Sequence, residues 1–173
     1  MQDDVPVFVK ARTVPFAIHE SFDQALDKLE KDDVIEKVQH SEWASPTVPD
    51  IKSDGELRIY GDYSGTINKY SQLEQYPVSS QEELLNKLGG GRKYSKLDLS
   101  QAYHQLELSP GSWKYTMVNT HQGMYQYWKH SFGVNTAVAA FQRTMKNLLK
   151  DLPGRCMYIG DILVTGDRDD SHF

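Results

Sequence analysis

Apolar positions in this chain recur with two periods. Phe22, Leu26 and Leu29 lie four and three residues apart on an acidic background, which predicts a helix from about residue 22 to 31. Ser21 and Gln24 have the spacing of a capping box, with Ser21 as N-cap and Gln24 reaching back. A second helix is marked in the same way, by Ser80 and Glu83 as the box and Leu84, Leu85 and Leu88 as the apolar stripe, with Gly89-Gly90-Gly91 as the stop. Ala137, Phe141, Met145, Leu148 and Leu149 place a third helix over 136–150, ended by Leu152-Pro153-Gly154.

The remaining apolar runs read as strands. Residues 1–20, interrupted by Pro6 and Pro15, are extended, and another extended stretch begins at Val34–Val38. Pro46 and Pro49 exclude a helix after Trp43 and predict an edge strand. Ser53-Asp54-Gly55-Glu56 turns it back into Leu57–Tyr60, and a loop runs from Gly61 to Tyr76. Tyr94–Leu99 and Gln105–Leu108 alternate as strands, and 114–119 pairs with 123–128 across His121-Gln122-Gly123. Cys156–Ile159 and Ile162–Thr165 flank Gly160-Asp161 as a tight hairpin. Helices and mostly antiparallel strands interleave without a regular βα period, so the class is α+β.

Composition and charge narrow the functions. The 173 residues suffice for one domain or two lobes. A net charge of −5 argues against a uniformly basic nucleic-acid binder. The charge is uneven, however. Residues 20–36 carry seven acids against Lys28 and Lys31, whereas Arg92, Lys93, Lys96, Lys114 and Lys129 outnumber Asp98 and Glu107 between Gly89 and His130. No apolar run approaches the ~20 residues that span a bilayer, and the acidic N-terminal stretch does not read as a signal peptide, so no membrane partner is expected. Cys156, alone of its kind, excludes an internal disulfide and reads as a buried strand thiol in a reducing, intracellular setting, cytoplasmic or nuclear. The six histidines lack metal-ligand spacing. Trp43, Trp113 and Trp128 read as packing residues.

Candidate chemistry rests on carboxylates. Gly160-Asp161 is satisfied as an ordinary turn, and it equally displays a carboxylate at a hairpin tip. Asp98 ends a strand, where an Asp serves as turn former or cap. Together the two could share a divalent metal such as Mg²⁺, which takes oxygen ligands from one or two carboxylates and substrate phosphates.

The words around these residues resemble those of reverse transcriptases, specifically of gypsy-type long-terminal-repeat retrotransposons. The resemblance runs through Val34-Ile-Glu36, Ser41-Glu-Trp-Ala-Ser-Pro46, Arg58-Ile-Tyr-Gly-Asp-Tyr63, Tyr94-Ser-Lys-Leu-Asp-Leu-Ser-Gln-Ala-Tyr-His-Gln-Leu106, Ser131-Phe-Gly-Val134, Ala140-Phe-Gln-Arg143 and Tyr158-Ile-Gly-Asp161. Several motifs in one order are specific where one alone is not. The resemblance implies a right-hand polymerase fold of fingers and truncated palm without a thumb: 1–90 mainly fingers, 91–105 and 136–173 palm, 106–135 a fingers insertion. It implies Asp98 and Asp161 as catalytic metal ligands for Mg²⁺ (or Mn²⁺) and Tyr103 as the steric gate against a ribose 2′-OH. Arg58 and Lys52 would bind the triphosphate of a dNTP, and Phe132 and Gly133 would line the nucleotide pocket. Without it, Tyr103 is equally a core aromatic, and Arg58 and Lys52 are solvated hairpin charges. The implied partners are an RNA template, a DNA primer and dNTPs, weakly bound, with the rest of a Pol polyprotein.

The pattern is broken at several points. The family's last motif is Tyr-x-Asp-Asp, and here Gly160 occupies the first aspartate's place. Losing one carboxylate from a two-metal site is expected to cost ~4 kcal/mol, roughly a thousandfold in rate. His130-Ser131 and Ala137-Val138 replace the usual Leu-Pro and Ala-Pro, which is expected to loosen the pocket wall. The chain also ends soon after the last motif, short of the family's thumb and ribonuclease H regions, so weak duplex binding is expected. The reading is a retrotransposon-derived RNA-directed DNA polymerase domain with impaired catalysis; the alternative is a non-catalytic remnant that binds nucleic acid or protein.

Overall fold

Pro15, at φ −59° and ψ 136°, turns the chain into a 3-10 turn, Phe16–Ile18, that runs directly into α1 (His19–Lys31). The helix therefore starts ahead of Ser21, and no side chain caps it. The expected capping box is not formed; Gln24 Nε2 instead donates to Glu20 Oε1 at 3.4 Å. The apolar stripe is as expected, with Phe22 and Leu26 buried.

In this computed structural model residues 5–71, 80–89, 91–158 and 160–166 are described. The chain forms two units, Met1–Leu73 with Tyr103–Ala137, and Glu74–Ala102 with Val138–Phe173. The first unit holds β1 (Ile35–Val38), β2 (Ser45–Ile51), β3 (Leu57–Gly61) and the one-turn α2 (Ile67–Tyr70). After a gap in sequence its sheet is completed by two further strands. In chain order the remaining elements are α3 (Gln81–Leu88), β4 (Lys93–Asp98), β5 (Met117–Thr120), β6 (Gly123–Tyr127), α4 (Ala137–Leu149), β7 (Arg155–Tyr158) and β8 (Asp161–Gly166). The first sheet has the order β1-β6-β5-β2-β3. Helix α1 packs on β3 and β1, and Phe22, Leu26, Ile35, Ile59, Val118 and Tyr127 meet in one apolar core.

Strand β2 is interior, not an edge strand as its prolines suggest. The Asp62 N–H donates to Pro46 O and the Lys52 N–H to Glu56 O, so bonded pairs alternate along the β2–β3 ladder and Pro49↔Ile59 is a non-bonded pair. The donor that Pro49 lacks would point away from β3. On that side β5 pairs only with Ser45 and Pro46, so no ladder bond is lost.

Two expected strands are shorter or absent. Residues 105–108 form the end of a 3-10 turn, Ala102–Gln105, followed by a single bridge from Glu107 to Lys129. Residues 114–116 belong to a 3-10 stretch, Pro110–Thr116, so β5 starts only at Met117. Pro110 presets that stretch, and the Trp113 indole N–H donating to Leu108 O and Thr116 Oγ1 donating to Trp113 O close it. The α2 turn falls inside the segment read as loop, whose residues 72–76 lie outside those described.

The second unit is a three-stranded antiparallel sheet, β4-β8-β7. Helix α3 packs on β7 and β8, joining Leu84 and Leu88 to Cys156, with Tyr158 and Leu163 at the margin. Leu85 turns outward, 69% exposed, so the stripe is narrower than expected. Burial pushes the Cys156 thiol up, as for the strand thiol expected there. Here the capping box is real. Ser80 Oγ accepts from the Glu83 N–H and Glu83 Oε2 from the Ser80 N–H.

The two Ser-x-x-Glu/Gln words thus predict opposite outcomes. Ser80→Ala should lower unfolding free energy by about 1 kcal/mol. Ser21→Ala and Gln24→Ala should each stay within about 0.5 kcal/mol. Urea denaturation of the three variants distinguishes them.

Candidate functional site

In the second unit the register places carboxylate opposite carboxylate. Asp98 pairs with Asp161 across β4 and β8, and Tyr158 pairs with Asp161 across β7 and β8. Directly opposed residues project to the same face with Cβ atoms about 5 Å apart. Asp161 is thus the first residue of a strand, one position further from the turn than its sequence suggested. Gly160 lies in the connection, at φ +93°, and its carbonyl accepts from the Leu99 N–H at 3.2 Å. Ile159 lies outside the described residues.

A cation already stands at this pair. Lys96, two residues before Asp98 and on the same face, places Nζ 2.7 Å from Asp161 Oδ2. The hydrogen bond it donates to Asp161 raises the lysine above its ordinary range. Two carboxylates on neighbouring strands fit one Mg²⁺ that completes its shell with water and phosphate. Among the described residues no group of three or more His, Cys, Asp or Glu could hold a metal, so the donor set stops short of two fully protein-held ions. A Cβ at position 160 would meet nothing within 4 Å. Space for a further carboxylate exists, and the positive φ is what favours glycine.

The first unit gathers a different cluster around the Phe132 ring. Tyr103, His104 and Tyr60 meet it edge-on, at 4.8, 5.3 and 5.4 Å between ring centroids. The Arg58 guanidinium lies 5.9 Å from the ring centroid, and Arg58 Nε is buried without a hydrogen-bond partner. Desolvation raises the half-buried Tyr103 phenol. Gly133 is at φ +92°, and a Cβ there would come within 2.3 Å of Gly61 O. Asn68 Nδ2 donates to Gly133 O at 2.7 Å, and Asn68 Oδ1 accepts from the Asn135 N–H at 2.9 Å. Arg58, Tyr103, Phe132 and Gly133 are therefore brought together. Lys52 is engaged elsewhere, paired with Glu56, which also binds Lys28 at 2.7 Å.

Three participants escaped sequence reasoning: Asn68, Tyr60 and His104. Asn68 sits in a polar run with no period, and His104 has no ligand spacing to mark it. Ser131, in place of a proline, is fully buried. Its hydroxyl donates to Phe132 O at 3.0 Å, and the buried Tyr63 phenol donates to Thr116 O at 3.3 Å.

Residues 46–172 match the family described as reverse transcriptase (RNA-dependent DNA polymerase). An uncharacterized protein of Caenorhabditis elegans is 32% identical over 173 residues, covering 99% of this chain and 14% of that protein. The retrovirus-related Pol polyprotein from transposon 412 of Drosophila melanogaster is 31% identical over 174 residues, 96% of this chain and 14% of the polyprotein. The corresponding polyprotein from transposon gypsy is 25% identical over 178 residues, with 98% and 17% covered. The chain therefore spans a small part of the curated relatives it matches. Among solved structures, prototype foamy virus protease-reverse transcriptase shares the fold, with a TM-score of 0.85, 24% identity, and 98% of this chain and 23% of that one covered. A foamy viral protease-reverse transcriptase in complex with RNA/DNA hybrid gives a TM-score of 0.84.

The ring cluster carries a pH dependence. Burial, with the charges of Lys129 and Arg58, pushes His104 down to about 4, and burial lowers His130 too. The unfolded chain takes up a proton near 6.5 that the folded His104 refuses until about 4. Stability from this group is complete above pH 6.5 and lost as pH falls toward 4, about 2 kcal/mol between pH 7 and 5. Unfolding free energy should fall over that interval, and His104→Gln should flatten the fall.

Proposed function

The chain belongs to the reverse transcriptase family, and on that premise we propose that it is the nucleotide- and metal-handling part of an RNA-directed DNA polymerase domain whose catalysis is impaired at position 160. The first unit would serve as fingers and the second as part of a palm. In this reading Arg58 binds the triphosphate of a dNTP, since a planar guanidinium with an unspent buried donor suits phosphate oxygens. Tyr103 excludes a 2′-OH, and Phe132 and Gly133 form the wall that Asn68 and Ser131 hold. Lys52 serves as a second phosphate cation once released from Glu56.

Asp98 and Asp161 would hold Mg²⁺ (or Mn²⁺). When bound, that ion supplies Lewis-acid stabilisation of charge on the phosphate as a primer 3′-OH displaces pyrophosphate. The observation that carries the reading is the registered Asp98–Asp161 pair beside a residue whose side chain is missing. Two features support impairment. Gly160 contributes no carboxylate, and the Lys96 ammonium neutralises part of the charge that a metal would use. The template, primer and remaining Pol polyprotein are the partners this reading implies. A second reading, a non-catalytic module that binds nucleic acid, draws on the same two features.

Primer extension on an RNA template with dNTPs and Mg²⁺ tests this. The chain should extend roughly a thousandfold more slowly than Gly160→Asp, and Asp98→Ala should silence both. Gly160→Asp should also lose about 1–3 kcal/mol of stability, because its φ is one that L side chains rarely adopt. Robust extension by the unaltered chain, abolished by Asp98→Ala, would overturn the impairment. Binding to hybrid without extension, even in Gly160→Asp, would favour the module.

A further inference from the structure

The second unit contains a cavity of about 450 Å³ between α3, α4 and β7, a size within the range of small-ligand sites. Its lining is one-sided in charge. Lys87 comes from α3, Lys146 and Lys150 from α4 and the residue following it, and Arg155 from β7, with no acid among the described lining residues. This stands out in a chain of net charge −5. Leu84, Leu149 and Met157 supply an apolar wall.

A second, independent feature lies in the same lining. Gln142 is 6% exposed, and its Nε2 is buried with no hydrogen-bond partner. A buried amide donor left unmatched is costly, and a turn of the Gln142 side chain toward the cavity it lines would let an acceptor oxygen there satisfy it. Arg155 spends one nitrogen on a long contact to Pro153 O, 3.4 Å, which leaves most of its fork over. Lys87 acts on the Cys156 thiol, favouring its thiolate against the larger effect of burial, so its charge is felt at the cavity wall.

We propose that this cavity binds a small organophosphate, its phosphate held by Lys87, Lys150, Arg155 and the Gln142 amide and its apolar body set against Leu84, Leu149 and Met157. Several cations suit a group carrying more than one negative charge, and an apolar wall suits a molecule larger than inorganic phosphate. The inference does not depend on the polymerase reading, because it uses neither carboxylate of the Asp98–Asp161 pair and no residue of the Phe132 cluster.

The test is a fluorescence titration of the chain with 1-naphthyl phosphate at low salt, with a chelator present. One saturable site is expected, with inorganic phosphate and uncharged 1-naphthol each binding at least tenfold more weakly. The exposed double variant Lys87→Gln/Lys150→Gln should weaken naphthyl phosphate at least tenfold, and Gln142→Leu should weaken it severalfold. Amide NMR signals of residues 84–87 and 150–157 should shift on binding. Arg58→Gln should bind as the unaltered chain does. Absence of a saturable site, an unchanged affinity in the lysine double variant, or loss of binding in Arg58→Gln would overturn the proposal.

Discussion

The register of β8 is the constraint from which the chemistry of the second unit follows. Side chains on a strand alternate between faces with period two, so a slip of one residue would send every side chain to the opposite face. The observed pairing puts Asp161 opposite both Asp98 and Tyr158, and Leu163 opposite Cys156. Carboxylates and apolar core residues therefore share one face of the sheet, the core residues under α3 and the carboxylates at the strand end. The apolar contacts of Leu163 and Cys156 with Leu84 and Leu88 fix the register. The register in turn sets the distance between the two acids. Packing chemistry and site chemistry are settled by the same hydrogen-bond ladder.

In the first unit the comparable role falls to buried polar groups. Ser131, Tyr63 and Tyr127 are buried, with Ser131 Oγ donating to Phe132 O and the Tyr63 hydroxyl to Thr116 O, and Ser45 and Thr66 are paired through their hydroxyls nearby in the core. Such groups are costly when unmatched and directional when matched. They hold the Phe132 ring at a defined angle to Arg58 and Tyr103, which purely apolar packing would leave freer.

Much of this was legible in the residues, and the misreadings share a cause. The second helix was read correctly down to its capping box because Ser80 and Glu83 act within one turn, where sequence spacing is spatial spacing. The same word at Ser21 failed because Pro15, further upstream, had already started the helix. Prolines at 46 and 49 pointed to an edge strand, and only the phase of the ladder, which no single strand encodes, reveals that an interior strand can carry Pro49; Pro46, at the start of the strand, still accepts from the Asp62 N–H. The hairpin frame was off by one for the same reason: alternation around Gly160-Asp161 reads nearly alike in both frames, and pairing with β4 decides. At the sites, residue types with a known chemical task were visible as motif words. Asn68 and His104 were not, since each acts by where the fold puts it.

Strands β4 and β8 lie about sixty residues apart in the chain, and this separation bears on the order in which structure can form. The β7–β8 hairpin is local and can close as soon as it is made. Strand β4 has to wait for it. Until β8 emerges, β4 exposes unpaired backbone together with Tyr94 and Leu97, which stay largely exposed even in the finished fold. During synthesis that strand is an open template for a neighbouring chain. The lysines at 93 and 96 are then the residues that keep it from being used as one.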